Sequence, residues 1–154
     1  MSDIRPGPLS GLRILDLTRL LPGPVATLHL ADLGAEVIKI EDPGLGDYAR
    51  TLGTGQGEDS AYFRMINRNK QGLVLDLKQP EAVTVFLRLV ETADVVVESF
   101  RPGVMDKLGI GYDRLAAVNP KITCCSISGY GQDGPYKDLA GHDINYLGYA
   151  GVLD

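Results

Sequence analysis

Three stretches of this 154-residue chain carry side chains able to do chemistry. GYGQDGPYKDLAGHD sets His142 beside Asp143 after a glycine-rich loop. Histidine titrates near neutrality, so it can take a proton and return it. At a helix start it would also lie near free backbone N–H groups, which stabilise developing negative charge. The plainer alternative is that Asp143 caps a helix and His142 is a surface or core residue. The second stretch, MINRNKQG, gathers Arg68 and Lys70 with Asn67 and Asn69. Such donors suit phosphate oxygens, and a solvated basic turn is the alternative. The third, SFRPGVMDKLG, places Phe100, Arg101 and Lys107 around a Pro-Gly turn. An aromatic face with two cations suits an adenine and its phosphates; a turn with exposed charges is the alternative.

Other chemistries lack their residues. There is no H-E-x-x-H, no Cys/His metal spacing, no G-x-S-x-G and no P-loop. A dinucleotide site would need G-x-G-x-x-G after the first strand, with Glu41 on the ribose. The turn there reads T-R-L-L-P-G-P, and only Gly23 lets the backbone come close. His29 falls inside a helix three residues before Asp32 and reads as structural. Cys124 and Cys125 are adjacent in an apolar run, so a bond between them would be strained. They read as two buried free thiols of a cytoplasmic protein. The net charge of −5 argues against nucleic acid or an anionic membrane as partner, so an anionic ligand needs a local cation cluster. The N-terminus has no apolar signal core, and no apolar run is long enough to span a membrane.

The elements that must position these residues follow from periodicity. LRILDLT, AEVIKIE, LVLDLK (73–78), DVVVESF and ITCCSIS read as five strands. Helices are expected after Pro22-Gly23-Pro24, ending near Gly34, and over 81–92, with Val83, Phe86, Leu87 and Val90 on one face. Shorter ones are expected at 104–108, 112–118 and about 142–150. Residues 42–71, rich in glycine, read mostly as a long loop. At 44% apolar and 23% charged, the chain has the composition of one globular unit. Alternating strands and helices predict an α/β fold with a mainly parallel sheet, its ligands beyond the carboxyl ends of the strands. Those ends are 18–24, 41–46, 99–103 and 128–134.

GPLSGLRILDLTRLLPGP, LADLGAEVIKIEDPG, NRNKQGLVLDLK, ADVVVESFRPGVMDKLGIGYDRLAAVNPKI, SISGYGQDGP and AGHDINYLGYAGVL occur in this order from about Pro8 to the last residue. Together they strongly resemble the family III CoA-transferases of the CaiB/BaiF type, the group of formyl-CoA transferase, carnitine CoA-transferase and α-methylacyl-CoA racemase. The resemblance implies the N-terminal part of a Rossmann-like, CoA-binding large domain spanning 1–154, without the small domain and the returning C-terminal segment. It implies acyl-CoA and a carboxylic acid as substrates, no metal or redox cofactor, and an interlocked homodimer. The positions that hold CoA in the family match Leu20 and Leu21, the loop Asn67, Arg68 and Lys70 with Leu75, and Ser99, Phe100, Arg101, Lys107 and Leu108. Where formyl-CoA transferase has an arginine after the second strand, this chain has Asp42.

By the same resemblance, transferases use an aspartate nucleophile, making an anhydride and then an enzyme thioester. Racemases move the α-proton of a 2-methylacyl-CoA between two bases, one of them the histidine of a G-H-D-I-N-Y-L motif. This chain has that motif at 141–147, so His142 and Asp143 are the expected catalytic residues, with a lean toward racemase-like chemistry. The partner aspartate is expected further along the family sequence. The 154 residues alone are therefore expected to be inert, with an exposed sheet edge or apolar face. A truncated, non-catalytic CoA-binding or regulatory fragment is the alternative reading.

Overall fold

The computed structural model describes residues 7–52 and 60–153. Five strands, β1 (Arg13–Leu17), β2 (Glu36–Glu41), β3 (Lys70–Val74), β4 (Val95–Glu98) and β5 (Thr123–Ser126), form one sheet in the order β3-β2-β1-β4-β5. Every pairing is parallel. Helices α1 (Pro22–Asp32), α2 (Ala61–Asn67), α3 (Pro80–Val90), α4 (Val104–Lys107), α5 (Tyr112–Val118) and α6 (Asp143–Tyr149) complete the described elements. The expected α/β sheet is present and wholly parallel among the described strands.

Alternation along the strands sorts the two faces. Leu15, Leu17, Ile40 and Val96 point to the face covered by α3 and α5, where Phe86, Val90 and Leu115 are fully buried. Ile14, Val37 and Val97 point to the other, with Ala31 of α1. Helix α1 starts hard against β1. A Cβ on Gly23 would come within 2.2–2.5 Å of the Thr18 side chain, so only glycine fits there. Gly34, at φ 102°, turns the chain out of α1 as expected.

Three expectations need correcting. The strand read at 73–78 is Lys70–Val74, because pairing with β2 starts at Lys70↔Val37. Asp76 then takes the chain into a turn, its carboxylate accepting the Lys78 N–H and its carbonyl the Gln79 N–H. The stretch 42–71 is not mostly loop. It holds a 3-10 turn, Tyr48–Thr51, capped by Asp47, and α2, capped by Ser60; residues 53–59 lie outside the described residues. Cys124 and Cys125 are free, but Cys124 is half-buried and Cys125 exposed, because β5 is an edge strand.

On the α1 face the carboxyl halves of β1 and β2 carry charge instead of apolar side chains. Asp16 is opposite Lys39 in the register, and both are buried. Asp16 also pairs with Lys70 Nζ at 3.1 Å and accepts from Thr27 Oγ1 at 2.6 Å. Lys39 Nζ pairs with buried Asp47 at 2.8 Å and donates to the Thr18 carbonyl at 2.9 Å. Glu41 is gripped by Arg50 through both oxygens, at 2.7 and 2.8 Å.

Removing one member of a buried pair leaves a charge uncompensated, at a cost of about 3–5 kcal/mol. Lys39→Met is therefore expected to lower the unfolding free energy by about that amount in urea denaturation. Burial pushes the Asp16 carboxyl up, but Lys39, Lys70 and the hydroxyls of Thr18 and Thr27 outweigh it, so its pKa is lowered. Glu41 is lowered likewise, burial being outweighed by Arg50, the Asp47 N–H and Lys39. Lowered acids contribute stability that is present above the ordinary carboxylate range near about pH 4 and lost as pH falls through the lower folded values. An acid titration followed by circular dichroism should hold level above that range and collapse below it.

Candidate active site

The chain leaves β1 to build β2 and β3 on one side and β4 and β5 on the other. A crevice therefore opens where the carboxyl ends of β1 and β4 part, the usual ligand position in such sheets. Two expected segments meet there, Leu20-Leu21 and Ser99–Arg101. The Arg19 N–H donates to Ser99 Oγ at 3.2 Å. Leu20 has a left-handed backbone, φ 67°, unusual for a branched side chain, and its N–H is held by Asp47 Oδ1 at 2.9 Å. Leu20 and Leu21 are exposed. The Phe100 N–H is held by Glu98 Oε2 at 2.7 Å. Arg101 is exposed and has no ion-pair partner among the described residues.

Sequence reasoning missed Arg19. Its guanidinium donates to Asp42 Oδ2 at 2.8 Å and lies 5.6 Å from the Tyr48 ring centre and 5.8 Å from that of Phe100. Its only sequence signal is being the lone cation of the turn T-R-L-L-P-G-P.

Lys107 and Leu108 line a separate groove of about 470 Å³ between the start of α3 and α4. Lys78 and Arg114 line it too, no carboxylate does, and Leu77 and Val83 give it apolar surface. None of the three cationic side chains has a partner among the described residues. This is the local cation cluster that an acidic chain needs to hold an anion. Lys78 and Arg114 were also missed, because the turn and helix that bring them to Lys107 come from different parts of the chain. Arg101 faces a neighbouring cavity of about 210 Å³ with Glu98, Cys124 and Ser126. Burial, then Glu98, pushes the Cys124 thiol up.

The NRNK loop is not brought to the crevice. Lys70 Nζ, whose side chain is 2% exposed, binds Asp16, the Pro24 carbonyl at 2.8 Å and Asn67 Oδ1 at 2.9 Å. Burial pushes its pKa down, with Asp16 opposing. Asn67 donates to the Phe63 carbonyl at 3.1 Å. Arg68 and Asn69 both hold Asp32 at the end of α1, the opposite end of the sheet from the crevice. Leu75 packs against the core under α3.

His142, expected as the first residue of the last helix, is instead the N-cap of α6, and it is exposed. Its backbone N–H is accepted by Asn145 Oδ1 at 2.9 Å, so Asn145 supplies the cap contact expected of Asp143. Asp143 is the first helical residue and has no partner among the described residues. Four of the seven tyrosines hold this segment together. The Tyr130 ring meets Tyr146, Tyr149 and Tyr136 edge-on at 5.5, 5.8 and 6.1 Å. Tyr146 also packs on Gly129 and Gly141, where an added Cβ would meet it at 2.5 and 2.7 Å.

The model of CoA-transferase family III matches residues 9–154. The chain is 46% identical over 147 residues to the acetyl-CoA:oxalate CoA-transferase of Acetobacter aceti, covering 96% of this chain and 38% of the relative. It is 44% identical over 154 residues to the human succinyl-CoA:glutarate CoA-transferase, covering 99% of this chain and 35% of that one. It superposes on the crystal structure of a CaiB/BaiF family protein from Brucella suis with a TM-score of 0.90 at 41% identity, covering 97% of this chain and 41% of that one. The chain thus spans about 40% of the length of the relatives it matches.

Gly141→Ala should drive Tyr146 off the turn that carries His142. The expected result is a loss of near-ultraviolet circular dichroism, which here reports mainly on tyrosine because the chain has no tryptophan, with far-ultraviolet signal retained.

Proposed function

The chain belongs to CoA-transferase family III, and on that basis we propose that it forms the CoA-binding part of an enzyme moving CoA between carboxylic acids. The observation that carries this is the meeting of Arg19 with Ser99 and Phe100 at the switch point, and a separate groove lined by Lys78, Lys107 and Arg114 supports it. Thioesters of CoA carry phosphates, an adenine and an amide-linked arm with apolar methyl and methylene groups. Unpaired cations, Phe100 and the exposed Leu20 and Leu21 answer those three in turn. The NRNK cations are given no direct contact in this proposal, since their donors bind protein acceptors.

The acceptor we propose is a small mono- or dicarboxylic acid, supported by the oxalate and glutarate in the relatives' names. His142 would handle a proton at the thioester, with Asp143 supplying negative charge beside it. We propose that the nucleophilic carboxylate of the transferase reaction belongs to the part of the relatives that this chain does not cover. We also propose a cytoplasmic homodimer, in which the exposed Ile144, Tyr149, Val152 and Leu153 would be covered.

Calorimetric titration tests the proposal. Arg101→Ala and Lys107→Ala should each weaken CoA binding about tenfold, the effect of losing one charge-assisted contact of about 1.5 kcal/mol. NAD binding as tightly as CoA would contradict it. Exchange of the α-proton of a 2-methylacyl-CoA into deuterium oxide, without CoA transfer, would move the reading to a racemase.

A further inference from the structure

Arg19 is the cation that the switch-point turn itself aims at the crevice. Among the described residues only its Nη2 makes a hydrogen bond, to Asp42 Oδ2 at 2.8 Å. The other Asp42 oxygen accepts the N–H groups of Gly44 and Gly46 at 3.1 and 3.2 Å, so the carboxylate is anchored in its own loop. It steadies Arg19 without gripping it as a fork. Nε and Nη1 donate to no described residue, and the side chain remains 28% exposed. The rings of Tyr48, at the start of the 3-10 turn, and Phe100, after β4, lie near the guanidinium from two different segments.

The next residue, Leu20, holds a left-handed backbone that a leucine adopts only at a cost, kept there by Asp47. A clamp between loops would explain the Asp42 pair. It would not explain a strained turn that leaves guanidinium donors unused at the mouth of a ligand crevice. A planar fork with an open edge, beside aromatic rings, is a receptor for an oxyanion.

We infer that Arg19, positioned by Asp42, binds an oxyanion of the thioester ligand and sets specificity for it. This rests on the CoA reading above. The oxyanion is either a phosphate of CoA or the far carboxylate of a dicarboxylyl group.

The test is titration of the protein and its Arg19→Gln and Arg19→Lys forms with CoA, pantetheine, acetyl-CoA and succinyl-CoA, alongside thermal melting. A phosphate contact predicts that Arg19→Gln loses about 10- to 100-fold in affinity for CoA and both thioesters but not for pantetheine. A carboxylate contact predicts that it loses affinity for succinyl-CoA alone. In either case Arg19→Lys, with charge but no fork, recovers only part. Unchanged affinities for all four ligands overturn the inference. So does an equal loss for all four, pantetheine included, with a lowered melting temperature, since that marks a clamp. If the unsubstituted protein binds no CoA, the function reading itself falls.

Discussion

The carboxyl ends of β1 and β2 rest on a buried charge balance centred on Asp16. A carboxylate on a central strand would be very costly if left alone. It is tolerated because Lys39 stands opposite it in the register and Lys70 reaches it from β3. Lys39 in turn fixes Asp47, and Arg50 fixes Glu41. Three acids and three bases thus form a closed, neutral layer between the sheet and its covering helices. Such a layer adds less net stability than an apolar one, but it ties together segments far apart in sequence.

The candidate site inherits its shape from that layer. Asp47 holds the N–H of Leu20, so the turn after β1 is bent by a residue that is itself held by Lys39. The bend places Arg19 over Phe100, while Ser99 ties the same turn to the end of β4. Hydrogen bonds thus tie the turn after β1 both to Asp47 and to the end of β4, and such pre-positioning reduces the ordering cost of binding. The His142 segment is built differently. It leans on a small tyrosine cluster and on two glycines, with little buried surface under α6.

Much of this could be read in the chain. Alternating apolar runs marked the five strands, Gly34 marked the end of α1, and His142 was placed at a helix start. What could not be read depended on register and tertiary pairing. KQGLV and LVLDLK are both plausible strands, and only hydrogen bonding to β2 together with the Asp76 turn selects the first. Lys70 reads as a phosphate donor in the sequence, and nothing local shows that Asp16, 54 residues away, pairs with it. Lys78, Lys107 and Arg114 line one groove only once α3, α4 and α5 are packed. Arg19 was hidden inside an apolar turn. α2 was masked by the glycine-rich residues before it, although Ser60 is an ordinary helix cap.

Amide hydrogen exchange with and without CoA addresses the central claim, that the switch-point crevice is where this chain holds a CoA thioester. The account predicts that CoA slows exchange in residues 18–21 and 99–108 and leaves the distant Asp32–Arg68 end of the sheet unchanged. Slowing confined to that distant end, or none in either crevice segment at saturating CoA, would contradict it.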